Sequence, residues 1–151
     1  MGTLSEKLLP NLHKFSLLAC LHIVLLGTNL QYCHYPTIEA IVHKFNDDIK
    51  SARLKDMERV AFVLGLYDFK SESGIENEFL GKILEELKLR VSEIMKHPKC
   101  LGSTAYYLSI SGTYDEEVIS SVLNEDFINL AYSEYFFEII LKLFLIKDSF
   151  R

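Results

Sequence analysis

Three cysteines in 151 residues are too few for a disulfide scaffold, and Cys20, Cys33 and Cys100 leave at least one thiol unpaired. Seven glycines and three prolines exclude a collagen-like or Pro/Gly-rich chain. Glu6 and Lys7 open a helical pattern, no small-residue cleavage site follows an apolar region, and no arginine precedes Arg53, so neither a secretory signal nor an Arg-rich, acid-poor presequence is expected at the N-terminus. Met1-Gly2 opens like a myristoylation site, but Glu6 stands where Ser or Thr is needed. Basic surplus is missing too. Sixteen Lys+Arg against 21 Asp+Glu give a net charge of −5, which argues against strong non-specific nucleic-acid binding and leaves room for a local basic patch. Long apolar runs are also absent. Leu17–Leu26 contains His22, Phe136–Ile146 contains Glu138 and Lys142, and both fall short of the roughly 20 residues of a spanning helix. Membrane insertion is not expected.

What is present is a globular composition, 49% hydrophobic and 25% charged, on a length that suits one domain or a few stacked repeats. The dominant period is helical. Ile38, Ile41, Val42, Phe45 and Ile49 share one face; Met57, Val60, Ala61 and Leu64 share another. Phe79, Leu80, Ile83, Leu84, Leu87, Val91 and Ile94 form a longer stripe, with Glu78, Lys82, Glu85, Glu86, Lys88 and Arg90 outside it. No segment alternates over a strand length.

Punctuation divides this pattern into short helices. Thr3-x-x-Glu6 reads as a capping box, and Pro10 kinks or ends the helix it opens. Ser16 caps a helix expected to end at Gly27; Tyr35-Pro36 opens the next; Lys70–Gly74 is a polar turn; His97-Pro98 closes one helix and starts another; Ser133 caps the last. Apolar helices ending at Gly27, Gly65 and Gly112 make a faint repeat, with intervals of 38 and 47 residues. The expected fold is all-α: about eight helices in stacked antiparallel pairs, α-solenoid-like, forming a single domain over 1–151. An ordinary helical bundle is the plainer alternative.

Enzymatic constellations are not found. Cys20, His22, Cys33 and His34 match no zinc spacing, and Cys20 and His22 point to different sides of one helix. No nucleophile elbow, Walker A loop or kinase motif set occurs; Asp68-Phe69 is followed by Lys70. The runs Asp47-Asp48, Glu85-Glu86, Asp115–Glu117 and Glu125-Asp126 read as solvated faces. No catalytic residue, metal or cofactor is expected. Two basic clusters are candidate RNA contacts: Lys50, Arg53, Lys55 and Arg59 around one helix start, and Lys96, His97 and Lys99 around Pro98. Of these, Arg53, Lys55, Arg59, Lys96 and Lys99 carry the hypothesis. Tyr67, Tyr106 and Tyr107, expected near helix ends, can stack on bases. The final segment is apolar nearly all round, and Phe136, Phe137, Ile140 and Phe144 are candidates for docking a partner.

The segment LKDMERVAFVLGLYDF (54–69), continued by EFLGKILEELKLRVSEIMKHPKCLGSTAYYLSISGTYDEEVISSVLNEDFI (78–128), resembles the first conserved subdomain of the FAST-kinase-domain family. The shared run is a helix opening on a Leu-Lys-Asp-like triplet, a longer amphipathic helix, a His/Tyr-Pro turn, an apolar helix and a terminal Tyr. LLPNLHKFSLLACLHIVLLG resembles the family's preceding helical repeats, and LKLFLIKDSF the Leu-rich stretch before its second subdomain. This resemblance implies a helical-repeat array and a non-enzymatic scaffold in mitochondrial RNA processing, stability or translation. Its implied partners are RNA, other RNA-processing proteins, or a further C-terminal part of the same chain. The family's second subdomain and RAP domain are missing, and no presequence is visible, which makes a short paralogue, isoform or partial product the expectation. Two other classes stay open: a protein–protein module docking through the apolar C-terminal helix, and a bundle carrying a small apolar ligand.

Overall fold

A computed structural model describes residues 2–132. The protein is all-α. Among the described residues there are nine α-helices, two short 3-10 segments and no strand. The helices are α1 (Gly2–Leu8), α2 (Leu17–Asn29), α3 (Tyr35–Asp47), α4 (Leu54–Leu66), α5 (Ile75–Leu89), α6 (Val91–Lys96), α7 (Pro98–Ile110), α8 (Glu116–Leu123) and α9 (Glu125–Tyr132). The 3-10 segments are Leu9–Lys14 and Ile49–Ser51.

The caps explain most of these boundaries. Pro10 has no N–H to continue α1, and the chain tightens into a 3-10 segment there. Ser16 Oγ accepts the Ala19 N–H at 3.2 Å and starts α2. Pro36 and Pro98 sit in the first turns of α3 and α7, where a missing donor costs nothing. Asp115 accepts the Glu117 and Val118 N–H groups and caps α8. Two expectations change. Thr3, expected as a cap, already lies inside α1, and α2 runs past Gly27 to Asn29.

The larger helices form two rows. In the first, α4 packs between α2 and α7; in the second, α5 packs between α3 and α8. Contacts give the directions. Along α4 and α7, Glu58 meets Cys100, Phe62 meets Tyr107 with ring centroids 5.3 Å apart, and Gly65 faces Ile110, so the two helices run parallel. Along α3 and α5, Glu39 pairs with Ser73 just before α5, Phe45 meets Phe79 at 6.3 Å, and the Lys82 ammonium donates to the Asn46 carbonyl, so these too run parallel. Parallel neighbours with one helix (α3 and α5) or two (α4 and α7) between them in the chain are compatible with the stacked-pair expectation. A Cβ at position 65 would lie 2.9 Å from Ile110 Cδ1, so glycine there sets how closely α4 and α7 approach. Between the rows lies one core that includes Leu21, Ile41, Phe45, Met57, Phe79, Ile83 and Leu108.

All three first-row helices end alike. The Tyr32 N–H donates to the Gly27 carbonyl, that of Phe69 to Leu64, and that of Thr113 to Leu108, at 2.9 Å each. In every case the residue before the donor is left-handed: Gln31 (φ 51), Asp68 (φ 43) and Gly112 (φ 78). The three ends share one cap geometry, centred on positions 31, 68 and 112 where the glycine pattern placed Gly27, Gly65 and Gly112, and only the third is a glycine.

The stripe from Phe79 to Ile94 is broken into two helices at Arg90. The Arg90 guanidinium, with its side chain 15% exposed, pairs with Glu86 at 2.6 Å and Glu93 at 3.4 Å. It also donates to the carbonyls of Ile49 (3.0 Å), Lys50 (3.3 Å) and Ala52. This turns the chain, so Ile94 stays buried while Val91, expected on the core face, is 61% exposed.

Candidate nucleic-acid interface

The two basic clusters lie 37 or more residues apart in sequence, from Arg59 to Lys96, yet α4 begins where α6 and α7 meet. Glu93 makes the join. Its Oε1 accepts the Leu54 N–H at 2.8 Å, one of the donors that the start of α4 leaves without an intrahelical partner. The charges of Lys55 and Glu93 also act on the Cys100 thiol, which places both beside the first turn of α7. The candidate residues thus gather at one end of the α4–α7 layer.

Their roles differ. Arg53 is engaged: Nε and a terminal nitrogen donate to the Asp56 carboxylate at 2.7 and 2.8 Å, and this bonding raises the Arg53 pKa. Asp56 itself is buried, 5% exposed, so the pair closes the N-terminus of α4 as a structural element. Lys55 and Arg59 stand one turn apart on the same face of α4, Lys55 exposed and Arg59 half-buried. Lys96 and Lys99, on either side of His97-Pro98, are both exposed. Glu58 and Glu93 interleave with these four cations, so the surplus of positive charge is small.

Further along the same face lie rings. Phe62 follows Arg59 on α4, and Tyr107 tilts against it; Tyr106 is 5.5 Å from Tyr107. All three are half-buried. Tyr107 opens the last turn of α7 and Tyr106 directly precedes it, close to the helix end as expected. Tyr67 does follow the last residue of α4, but its hydroxyl approaches the Tyr32 carbonyl at 3.5 Å, across the α2–α4 edge. Burial, then the charge of Glu58 and the neighbouring Tyr106, push the Tyr107 phenol up, so it stays a neutral hydrogen-bonding ring at physiological pH. Cys100, beneath the lysines, is pushed up to about 12 by burial and by its hydrogen bond to Glu58. A thiol so far from ionising is no nucleophile.

The arrangement therefore offers an edge of exposed ammonium groups leading into a shelf of aromatic carbon, the two components that single strands use. Phe62 was missed by sequence reasoning; its place one turn after Arg59 on the Lys55–Arg59 face was the available signal. Lys50 is exposed, and its backbone carbonyl accepts from Arg90. The docking candidates Phe136, Phe137, Ile140 and Phe144 lie outside the described residues, as does the expected cap Ser133.

Among the described residues no cluster of three or more His, Cys, Asp or Glu side chains is arranged to hold a metal ion. Cys20 is buried and His22 exposed, on opposite sides of α2. Among the described residues no helix is long and apolar enough to cross a membrane. No family model matches the chain, and no curated protein or solved structure is significantly similar to it.

Proposed function

We propose that the protein is a non-enzymatic helical-repeat scaffold of RNA metabolism, of the FAST-kinase-domain type, that contacts single-stranded RNA through the α4–α7 face. The observation that carries this reading is the convergence of Lys55, Arg59, Lys96 and Lys99 at one end of that face, followed by the Phe62–Tyr107–Tyr106 rings. Phosphates meet the ammonium groups at the helix starts, and bases stack on the exposed parts of the rings. The single strand is favoured over the duplex because a duplex hides its base faces from such rings. The resemblance over 54–128 supplies the cellular setting, mitochondrial RNA processing, stability or translation. The parallel rows support the α-solenoid part of the reading, since their shared helix direction and shared caps are what repeated pairs require.

A second reading, a protein-docking module, draws on exposed aliphatic side chains at the C-terminal ends of the same row. Leu30, Leu66 and Ile110 are 47%, 52% and 46% exposed. The two readings separate by salt. Single-strand binding through about four phosphate contacts gives a log–log salt slope near −3, and replacing Lys55 and Lys99 by Gln halves it. Docking by aliphatic contact changes little with salt and is lost on Leu66→Asp.

A further inference from the structure

Asp56, Glu58 and Glu93 stand where the cations of the α4–α7 face gather, and two of the three are engaged inside the fold. Asp56 accepts both Arg53 bonds; Glu93 accepts the Leu54 N–H and pairs with Arg90 at 3.4 Å. Glu58 is different. It is half-buried on α4, one residue before Arg59 and one turn before Phe62, and neither Lys55 nor Arg59 closes a salt bridge with it. Its hydrogen-bond partner is the Cys100 thiol, and its charge is felt at the Tyr107 phenol. Glu58 therefore sits between the ammonium edge and the aromatic shelf. A carboxylate has room for about four hydrogen bonds, and the thiol, a weak donor, fills one. Acceptor capacity is left at the point where a strand passes from phosphate contact to base stacking.

That acceptor has a chemical preference. The rings beside it are inclined, Phe62 to Tyr107 by 57° and Tyr106 to Tyr107 by 59°, so they do not clamp a base between parallel faces. A base lies on one ring and keeps its edge free. Guanine alone among the four bases carries two adjacent donors, N1–H and N2–H, on its Watson–Crick edge, and these match the two oxygens of one carboxylate. In adenine and cytosine the amino group has a ring-nitrogen acceptor beside it, and in uracil the N3–H lies between two carbonyls. Each of these sets a lone pair against the carboxylate charge. We propose that Glu58 makes the α4–α7 face selective for guanine, its carboxylate accepting N1–H and N2–H of a base stacked on the Phe62–Tyr107–Tyr106 rings. The inference rests on the single-stranded RNA reading and adds a base to it.

Binding of the full chain to U-rich single strands of about eight nucleotides, differing only in one central base, tests it. The strand with guanine is expected to bind about tenfold more tightly than those with adenine, cytosine or uracil, the discrimination of one bidentate contact. Inosine keeps N1–H and lacks the N2 amino group; in the wild-type protein it is expected to bind about threefold or more weakly than guanine, a measurement that needs no variant. Glu58→Gln, with its helical signal checked by circular dichroism, is expected to lose the guanine preference, because its amide replaces one acceptor by a donor. Salt-sensitive binding that is equal for all four bases overturns the proposal and leaves the RNA reading standing. A guanine preference that inosine or Glu58→Gln leaves unchanged does the same. Absence of binding to every strand overturns both.

Discussion

Replacing Arg90 by Met tests whether one cation holds the junction between the two halves of the described fold. Met preserves the aliphatic stem and roughly the volume, so the loss is polar. What disappears is a guanidinium joined to the Glu86 and Glu93 carboxylates and to three carbonyls from the 49–52 segment, about 40 residues away. Hydrogen bonds to charged groups contribute about 1.5–3 kcal/mol each, but these are coupled, and the freed carbonyls at 49–52 regain water in part. Breaking a buried pair by removing one partner costs about 3–5 kcal/mol. With 15% of the side chain still exposed, the lower end applies, about 3 kcal/mol, against a total stability of about 5–15 kcal/mol. For a chain of this length that corresponds to a fall in Tm of about 6–12 °C. Urea unfolding followed by circular dichroism measures it. Arg90→Lys is expected to recover less than half, because an ammonium cannot reach Glu86 and the 49–52 carbonyls together. A loss below about 1 kcal/mol for Arg90→Met would refute the reasoning and make the junction an ordinary solvated turn.

Gln31→Gly places glycine at a left-handed cap and is expected to stabilise the protein by about 0.5–1 kcal/mol in the same assay, whereas Gly112→Ala is expected to destabilise it by a similar amount. Cys100, pushed up to about 12, is expected to resist alkylation at neutral pH, and Glu58→Gln is expected to speed the reaction; mass-spectrometric labelling of each cysteine reports both. Burial raises the Glu76 carboxyl, but hydrogen bonds from the Ser71 hydroxyl and backbone outweigh it and hold the group below its usual 4.5. Its contribution is therefore complete above pH 4.5 and lost as pH falls through the lowered value, so acid unfolding in Glu76→Gln is expected to be shallower than in the wild type.

Periodicity and punctuation made the helices legible, because Ser16, Pro36 and Pro98 act within a few residues of their own position. The cores of α3, α4 and α5 followed from their apolar faces. The shared form of the helix ends was visible as a faint glycine pattern, but out of register. Glycine is the residue that left-handed caps prefer, yet Gln31 and Asp68 fill two of the three sites, so a search for glycine found Gly27 and Gly65 close by instead. Charged residues were the least legible. Arg90 and Glu93 act on residues 38 to 41 positions away, and Asp56 is buried by its bond to Arg53; nothing in local sequence separates these from a solvated face. The candidate interface shared that problem. Its cations were readable as two clusters, but their union depends on Glu93 meeting the start of α4, a long-range contact that periodicity does not encode.

The central claim is tested most directly by titrating a labelled single-stranded RNA with purified full chain across a salt series, in the wild type and in a Lys55→Gln, Lys99→Gln double variant. The account predicts binding that weakens with salt at a slope near −3, and a variant that binds more weakly with about half that slope while its helical signal is unchanged. Absence of binding by folded protein, or a variant indistinguishable from wild type, would contradict it.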